Sequence, residues 1–216
     1  MNQKKSYWKF SNQEKIDLLI SWITLSVAFT IVLVQFNLTS ILASGSFGYL
    51  PIVIAAPIAL VAVGTGFVFH ELAHRQAARH FGFVSEYRAW YPILGLAVVF
   101  AFLTGWILAA PGATYFFGQN VTRKQDGIIS VAGPVVNVLL GIFLLVLSLA
   151  FTNELLQVIL IASARINFFF ALFNLLPIWI LDGKKVLAWN PGIWFLAILI
   201  PAISIFFPSL IFGFFI

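Results

Sequence analysis

No cysteine occurs anywhere in the 216-residue chain, which excludes disulfides and thiolate metal sites and leaves His, Asp and Glu as the side chains able to hold a metal ion. Charge is scarce as well. Only 9% of residues are charged, against roughly 25% in an ordinary soluble domain. With 62% hydrophobic residues and a mean hydropathy of +1.03, a polytopic membrane protein is expected. The 24 Phe and 7 Trp suit lipid-facing and interfacial surfaces. The net charge of +5 does not point to nucleic acid, because the basic residues stand at the ends of apolar runs, as the positive-inside rule predicts. Nucleic-acid binding is therefore not expected.

In chain order, Lys4, Lys5, Lys9 and Lys15 mark a cytoplasmic N-terminus, and Ser11-Asn12-Gln13-Glu14 has the spacing of a capping box. A first span is expected over 16–36. A signal peptide is the competing reading, set aside because the apolar run is too long and the small-residue site near Ala43 too distant. The uncharged 37–48 stretch is expected to be an external loop, and a second span returns from about Leu50 through Gly64-Thr65-Gly66 to near Gly82. The apolar 92–110 segment either crosses the membrane or dips in and comes back. Crossing would place Arg123 and Lys124 outside and invert every later span, whereas re-entry keeps them inside with Lys184 and Lys185. A re-entrant or hairpin element is therefore expected, with Pro92, Gly95, Gly105, Pro111 and Gly112 giving it irregular backbone. Spans over 128–151 and 155–176 follow, the second with Arg165 in mid-run, and 193–216 is a kinked span or a hairpin. The expected fold is all-α and polytopic, with about six transmembrane segments and a re-entrant element, with room for a small β-sheet, between the second and third full spans. It forms one domain over 1–216, with its core at about 50–185 and peripheral spans at 16–36 and 193–216.

The chemistry is concentrated in Val68-Phe69-His70-Glu71-Leu72-Ala73-His74-Arg75. Two histidines four residues apart on a helix lie about 40° apart around the axis and about 6 Å along it, so both can reach one ion. In H-E-x-x-H sites the histidines bind zinc and the Glu is the base toward the attacking water. The apolar run leading into this copy places the metal within the membrane. A catalytic zinc usually has three protein ligands. His80 completes a metzincin-like spacing, but Ala77 replaces the helix-breaking glycine, which leaves His80 about 9 Å beyond His74 and turned round the cylinder. Glu86, just past Gly82, reads as a solvated loop residue. Asp182 ends an apolar run, where an acidic group is costly and usually functional, or it is a juxtamembrane carboxylate beside Lys184. Spacing alone leaves the third ligand open.

The succession of His70-Glu71-Leu72-Ala73-His74, Ala132-Gly133-Pro134-Val135-Val136-Asn137 and Asn174 through Gly183 resembles the site-2 protease family of intramembrane zinc metalloproteases. It matches H-E-x-x-H, A-G-P-x-x-N and N-x-x-P-x-x-x-L-D-G in order on three apolar segments. The resemblance implies one zinc ion per chain held by His70, His74 and Asp182, with Glu71 as base. It also implies that Asn137, and with it Asn174, contacts the substrate backbone or the oxyanion; an interhelical hydrogen bond is the alternative for Asn137. Gly133, Pro134, Asn174 and Pro177 are expected to shape their segments. The implied substrate is a transmembrane protein cut within or near its span. The implied setting is a multi-pass cell-membrane protein in the lipid bilayer, with N-terminus and active-site opening toward the cytoplasm. A helical peptide bond is shielded by its own hydrogen bonds, so the substrate must unwind locally. Residues 111–118 are expected to receive it by strand addition, although they depart from the family's glycine-rich loop. Arg165 has no assigned partner. The competing reading is a non-proteolytic membrane metal-binding protein or transporter, which would not require Glu71 as a base. A prenyl-protein-processing type of metalloprotease is disfavoured by the segment from Asn174 to Gly183. No PDZ or CBS type of domain is recognisable, which leaves substrate choice to the membrane core or a partner. Oligomeric state is not legible.

Overall fold

The computed structural model describes residues 9–35, 49–107, 112–118 and 120–213; Lys4, Lys5, the expected loop over 37–48 and Pro111 lie outside the described residues. The chain runs α1 (Asn12–Leu33), α2 (Tyr49–Val63), a π-helical segment (Gly64–Val68), α3 (Phe69–His80), β1 (Val84–Ala89), α4 (Tyr91–Thr104) and β2 (Gly112–Phe117). It continues through α5 (Arg123–Ser148), α6 (Glu154–Leu175), α7 (Asp182–Trp189), α8 (Pro191–Phe206) and α9 (Pro208–Phe212). Among the described residues four helices are long and apolar enough to cross a bilayer: Asn12–Leu33, Ile52–His80, Arg123–Ser148 and Glu154–Leu175. Four stand where about six were expected. The difference lies in α4 and α8, whose 14 and 16 residues rise only about 21 and 24 Å, short of a hydrocarbon core of about 30 Å.

Local chemistry sets the helix ends. The Ser11 hydroxyl accepts the Glu14 N–H at 3.0 Å and starts α1, but the expected capping box does not close. The Glu14 side chain is instead fully buried and turned inward to Arg75. A complete box forms at α5, where Thr122 and Gln125 cap each other's N–H groups. Asn153 and Asn190 cap α6 and α8. Gly105 ends α4 at φ 74°, in the left-handed region that a β-carbon disfavours.

α1 is inverted relative to a helix of a water-soluble protein. Leu19, Ile23 and Val27 are exposed, while Glu14, Asp17 and Ser21 are at most 2% exposed. Polar groups inside and apolar groups outside are the arrangement a bilayer selects. Expected close packing at Gly64 and Gly66 is present. A β-carbon on Gly66 would stand 2.7 Å from the Phe170 ring of α6.

β1 and β2 form an antiparallel pair, from Val84 opposite Phe117 to Ala89 opposite Gly112. Because the end of β1 pairs with the start of β2, the chain between them leaves and returns to one end of the sheet, as the re-entrant reading requires. The strand expected at 111–118 is β2. Glu86, expected in a solvated loop, sits on β1 opposite Tyr115, because Val84-Ser85-Glu86-Tyr87-Arg88-Ala89 alternates its side chains across a strand.

Candidate metal centre

α3 presents His70 and His74 one helical turn apart, and their Nε2 atoms stand 2.9 Å from each other. Asp182, the first residue of α7, brings Oδ2 to 3.3 Å from His70 Nε2 and 3.1 Å from His74 Nε2. His70, His74 and Asp182 thus offer ligand atoms that all lie within 4.8 Å of one another. His80 and Glu86 are elsewhere: His80 is exposed at the end of α3 against Phe81, and Glu86 pairs with Arg88.

Hydrogen bonds at the far side of each imidazole decide which nitrogen faces the centre. Asn137, fully buried on α5, donates its Nδ2 hydrogens to the Gly66 carbonyl at 2.7 Å and to Asn167 Oδ1 at 3.1 Å. Its Oδ1 therefore faces His70 Nδ1, 2.6 Å away, and must accept from it. The Ile129 carbonyl can only accept, so His74 Nδ1 donates to it at 2.8 Å. Both neutral rings then carry their lone pair on Nε2. Two imidazole lone pairs and a carboxylate oxygen then converge, an arrangement suited to a cation. A tetrahedral zinc with ligands at about 2.0 to 2.1 Å holds them about 3.3 Å apart, close to the separations found. The residues present fit the ion.

Space for it is kept by a glycine. A β-carbon on Gly133 would lie 2.5 Å from His74 Nε2 and 2.7 Å from His70 Nε2. Gly133 is a wall of the site inside α5, not a residue that shapes the start of that helix as expected. Gly183 has a parallel duty, since its β-carbon would meet the Leu175 carbonyl oxygen at 2.0 Å, so only glycine lets α7 begin against the end of α6.

The centre opens into a cavity of about 890 Å³. Glu71, 8% exposed, lies in its wall, and its Oε2 accepts the Thr114 hydroxyl of β2 at 2.7 Å. Residues 112–116 of β2 line the same cavity, as do Asn174 and the basic Arg123, Lys184 and Lys185. Asn174 donates to the Phe170 carbonyl at 3.0 Å. Asn137 meets the interhelical alternative, with its amide committed to α3, the π segment and α6. Arg165 lies outside the cavity on the exposed side of α6, its guanidinium 4.5 Å over the Phe212 ring. Thr114 and the wall role of Gly133 were missed in the sequence, although both fall in stretches singled out for other reasons.

The chain is 42% identical over 190 residues, 88% of its own length and 91% of the other's, to the Methanocaldococcus jannaschii protein named "Putative zinc metalloprotease MJ0611". It is 31% identical over 153 residues, 61% of its length and 68% of the other's, to the Bacillus subtilis protein named "Putative zinc metalloprotease YwhC". No family profile and no solved structure matches it. Likeness of this degree over nearly the whole of both chains, together with a donor set suited to zinc beside a buried glutamate, shows that the chain belongs to the zinc metalloprotease family of these two proteins.

Proposed function

We propose that the chain is an intramembrane zinc metalloprotease of the site-2 type, which hydrolyses peptide bonds within or near the transmembrane segments of membrane-protein substrates. The observation that carries the reading is the meeting of three convergent acceptor atoms, Glu71 and a strand edge in one cavity walled by helices with apolar outer faces. Basic residues at the cavity, Arg123, Lys184 and Lys185, support an opening toward the cytoplasm of a multi-pass cell-membrane protein.

Zinc held by His70, His74 and Asp182 would polarise the scissile carbonyl and acidify the attacking water. Glu71 takes the proton from that water and returns it to the leaving amine. Asn137 and the Ile129 carbonyl hold the two imidazoles in the tautomer that a ligand needs. Asn174 offers its carbonyl oxygen to an amide of the unwound substrate, and β2 receives the extended segment as an added strand.

The test is cleavage of candidate transmembrane substrates in liposomes by the parent and by Glu71→Gln, with zinc content measured in parallel. Glu71→Gln is expected to keep its zinc and lose cleavage, and His70→Ala to lose both. Cleavage by Glu71→Gln at the parental rate would overturn the mechanism.

A further inference from the structure

Thr114 joins two parts of the site that the mechanism treats separately. Its hydroxyl donates to Glu71 Oε2 at 2.7 Å and stands 3.3 Å from the Glu71 main-chain oxygen. Its main chain, meanwhile, belongs to β2, and the sides to which the β2 backbone groups point can be read from contacts made by β1.

In an antiparallel pair, opposed residues alternate between those that bond to each other and those whose N–H and C=O both turn outward. On β1 the outward residues are identified three times. The Tyr87 N–H donates to Glu14 at 3.2 Å, the Ala89 N–H to Asp17 at 3.4 Å, and the Ser85 carbonyl accepts from Arg79 at 3.0 Å. Their partners are Thr114, Gly112 and Phe116. Those three residues therefore turn their backbone groups away from β1, at the free edge of a strand that lines the cavity. The one whose side chain holds Glu71 is among them.

We infer that Thr114 is a positioning residue for Glu71, tying the base to the strand edge on which the substrate is laid. The inference rests on the protease reading. With its backbone at the free edge and its hydroxyl on the base, Thr114 fixes the distance between the paired substrate segment and Glu71. A bound peptide is then presented in register with the group that must serve its scissile bond. Loss of the hydroxyl leaves the edge intact and the base untethered, so the damage falls on turnover and not on binding.

The experiment compares kcat and KM of the full chain in liposomes for the parent, Thr114→Val and Thr114→Ser, with zinc content and thermal unfolding alongside. Valine keeps the β-branched shape that suits a strand and removes only the hydroxyl. The expected result is a fall in kcat of about 10- to 100-fold for Thr114→Val, the worth of one hydrogen bond to a charged group. KM stays within about twofold of the parent, zinc content is unchanged, and Thr114→Ser recovers most of the rate. Parental kcat in Thr114→Val overturns the inference. So does a rise in KM alone, which would make Thr114 a strand residue only, or a loss that serine does not restore, which would make its methyl group the important part. Should the valine variant fail to fold, Thr114→Ala is read by the same criteria. A parent that binds zinc and cuts nothing would instead sink the protease reading itself.

Discussion

The two outer edges of the sheet have opposite fates. On β1 two of the outward N–H groups are taken by carboxylates: Glu14 and Asp17, 0% and 2% exposed, reach across from α1 to Tyr87 and Ala89. On β2 the outward residues Gly112, Thr114 and Phe116 line the cavity. An unpaired strand edge is a template for another chain, and proteins usually blunt it. Among the described residues, one edge here is blunted by carboxylates and the other carries no strand, beside a metal centre. The difference shows that a two-stranded sheet can be made directional by side chains alone, so that an incoming strand has one place to add. It also gives α1 a task. That helix was read as peripheral, yet its Glu14 also binds Arg75 Nε of α3 at 2.9 Å, and so joins the sheet to the metal-bearing helix.

Stripping the closed edge should have the largest effect. Glu14→Ala takes the acceptor from Arg75 Nε and from the buried Tyr87 N–H, leaving the guanidinium, among the described residues, only the Lys9 carbonyl and the Phe10 ring, and is expected to cost about 3 to 5 kcal/mol of stability, measurable by denaturant titration in micelles. Next comes a variant that spares both edges and loosens what the open one faces. Asn137→Ala removes the acceptor that fixes the His70 tautomer and should weaken zinc binding by about 10- to 100-fold in competition with a chelator, with the sheet undisturbed. The smallest effect belongs to Asp17→Asn. Its one amide oxygen can take the place of Oδ1 and still accept from the Tyr91 hydroxyl and the Gln13 amide, while the 3.4 Å contact from the Ala89 N–H to Oδ2 is lost, so the expected loss is about 1 kcal/mol in the same titration. A loss equal to that of Glu14→Ala would mean that the seal rests evenly on both carboxylates and not chiefly on the one that also holds Arg75.

Much of the centre was legible because its residues are chemically unusual where they stand. Histidines four apart, an aspartate closing an apolar run and an asparagine inside one are each expensive in a membrane, and the structure brings all of them to one place. The distribution of basic residues, which acts over long stretches of chain, favoured a returning path over 92–110, and the pairing of Ala89 with Gly112 agrees with it. The acidic seal was not. Glu14, Asp17 and Ser21 follow one another at i, i+3 and i+7, a stripe along one face of a helix, but the first of them also completed a capping-box spacing, and that local reading competed with the tertiary one. β1 was hidden for another reason. Val84-Ser85-Glu86-Tyr87-Arg88-Ala89 is short and half polar, so only its partner strand and the carboxylates of α1 make it a strand. The role of Gly133 could not be seen from α5 alone, because a glycine in a helix reads as flexibility until the two imidazoles opposite it are in place.

The π-helical segment Gly64–Val68 interrupts an otherwise continuous helix immediately before the histidines. Each residue of an α-helix turns the chain by about 100°, and a π segment amounts to one residue too many. Everything after it is out of phase with everything before it. Without the slip, the buried Ala55, Ile58, Ala59, Ala62 and Val63 of α2 and the His70–His74 stripe of α3 would lie roughly 70° apart around the axis, and a slip of one residue carries the histidines back toward the packing side. One rod thus serves packing before the slip and chemistry after it, and the slip is what lets both sets of residues point inward.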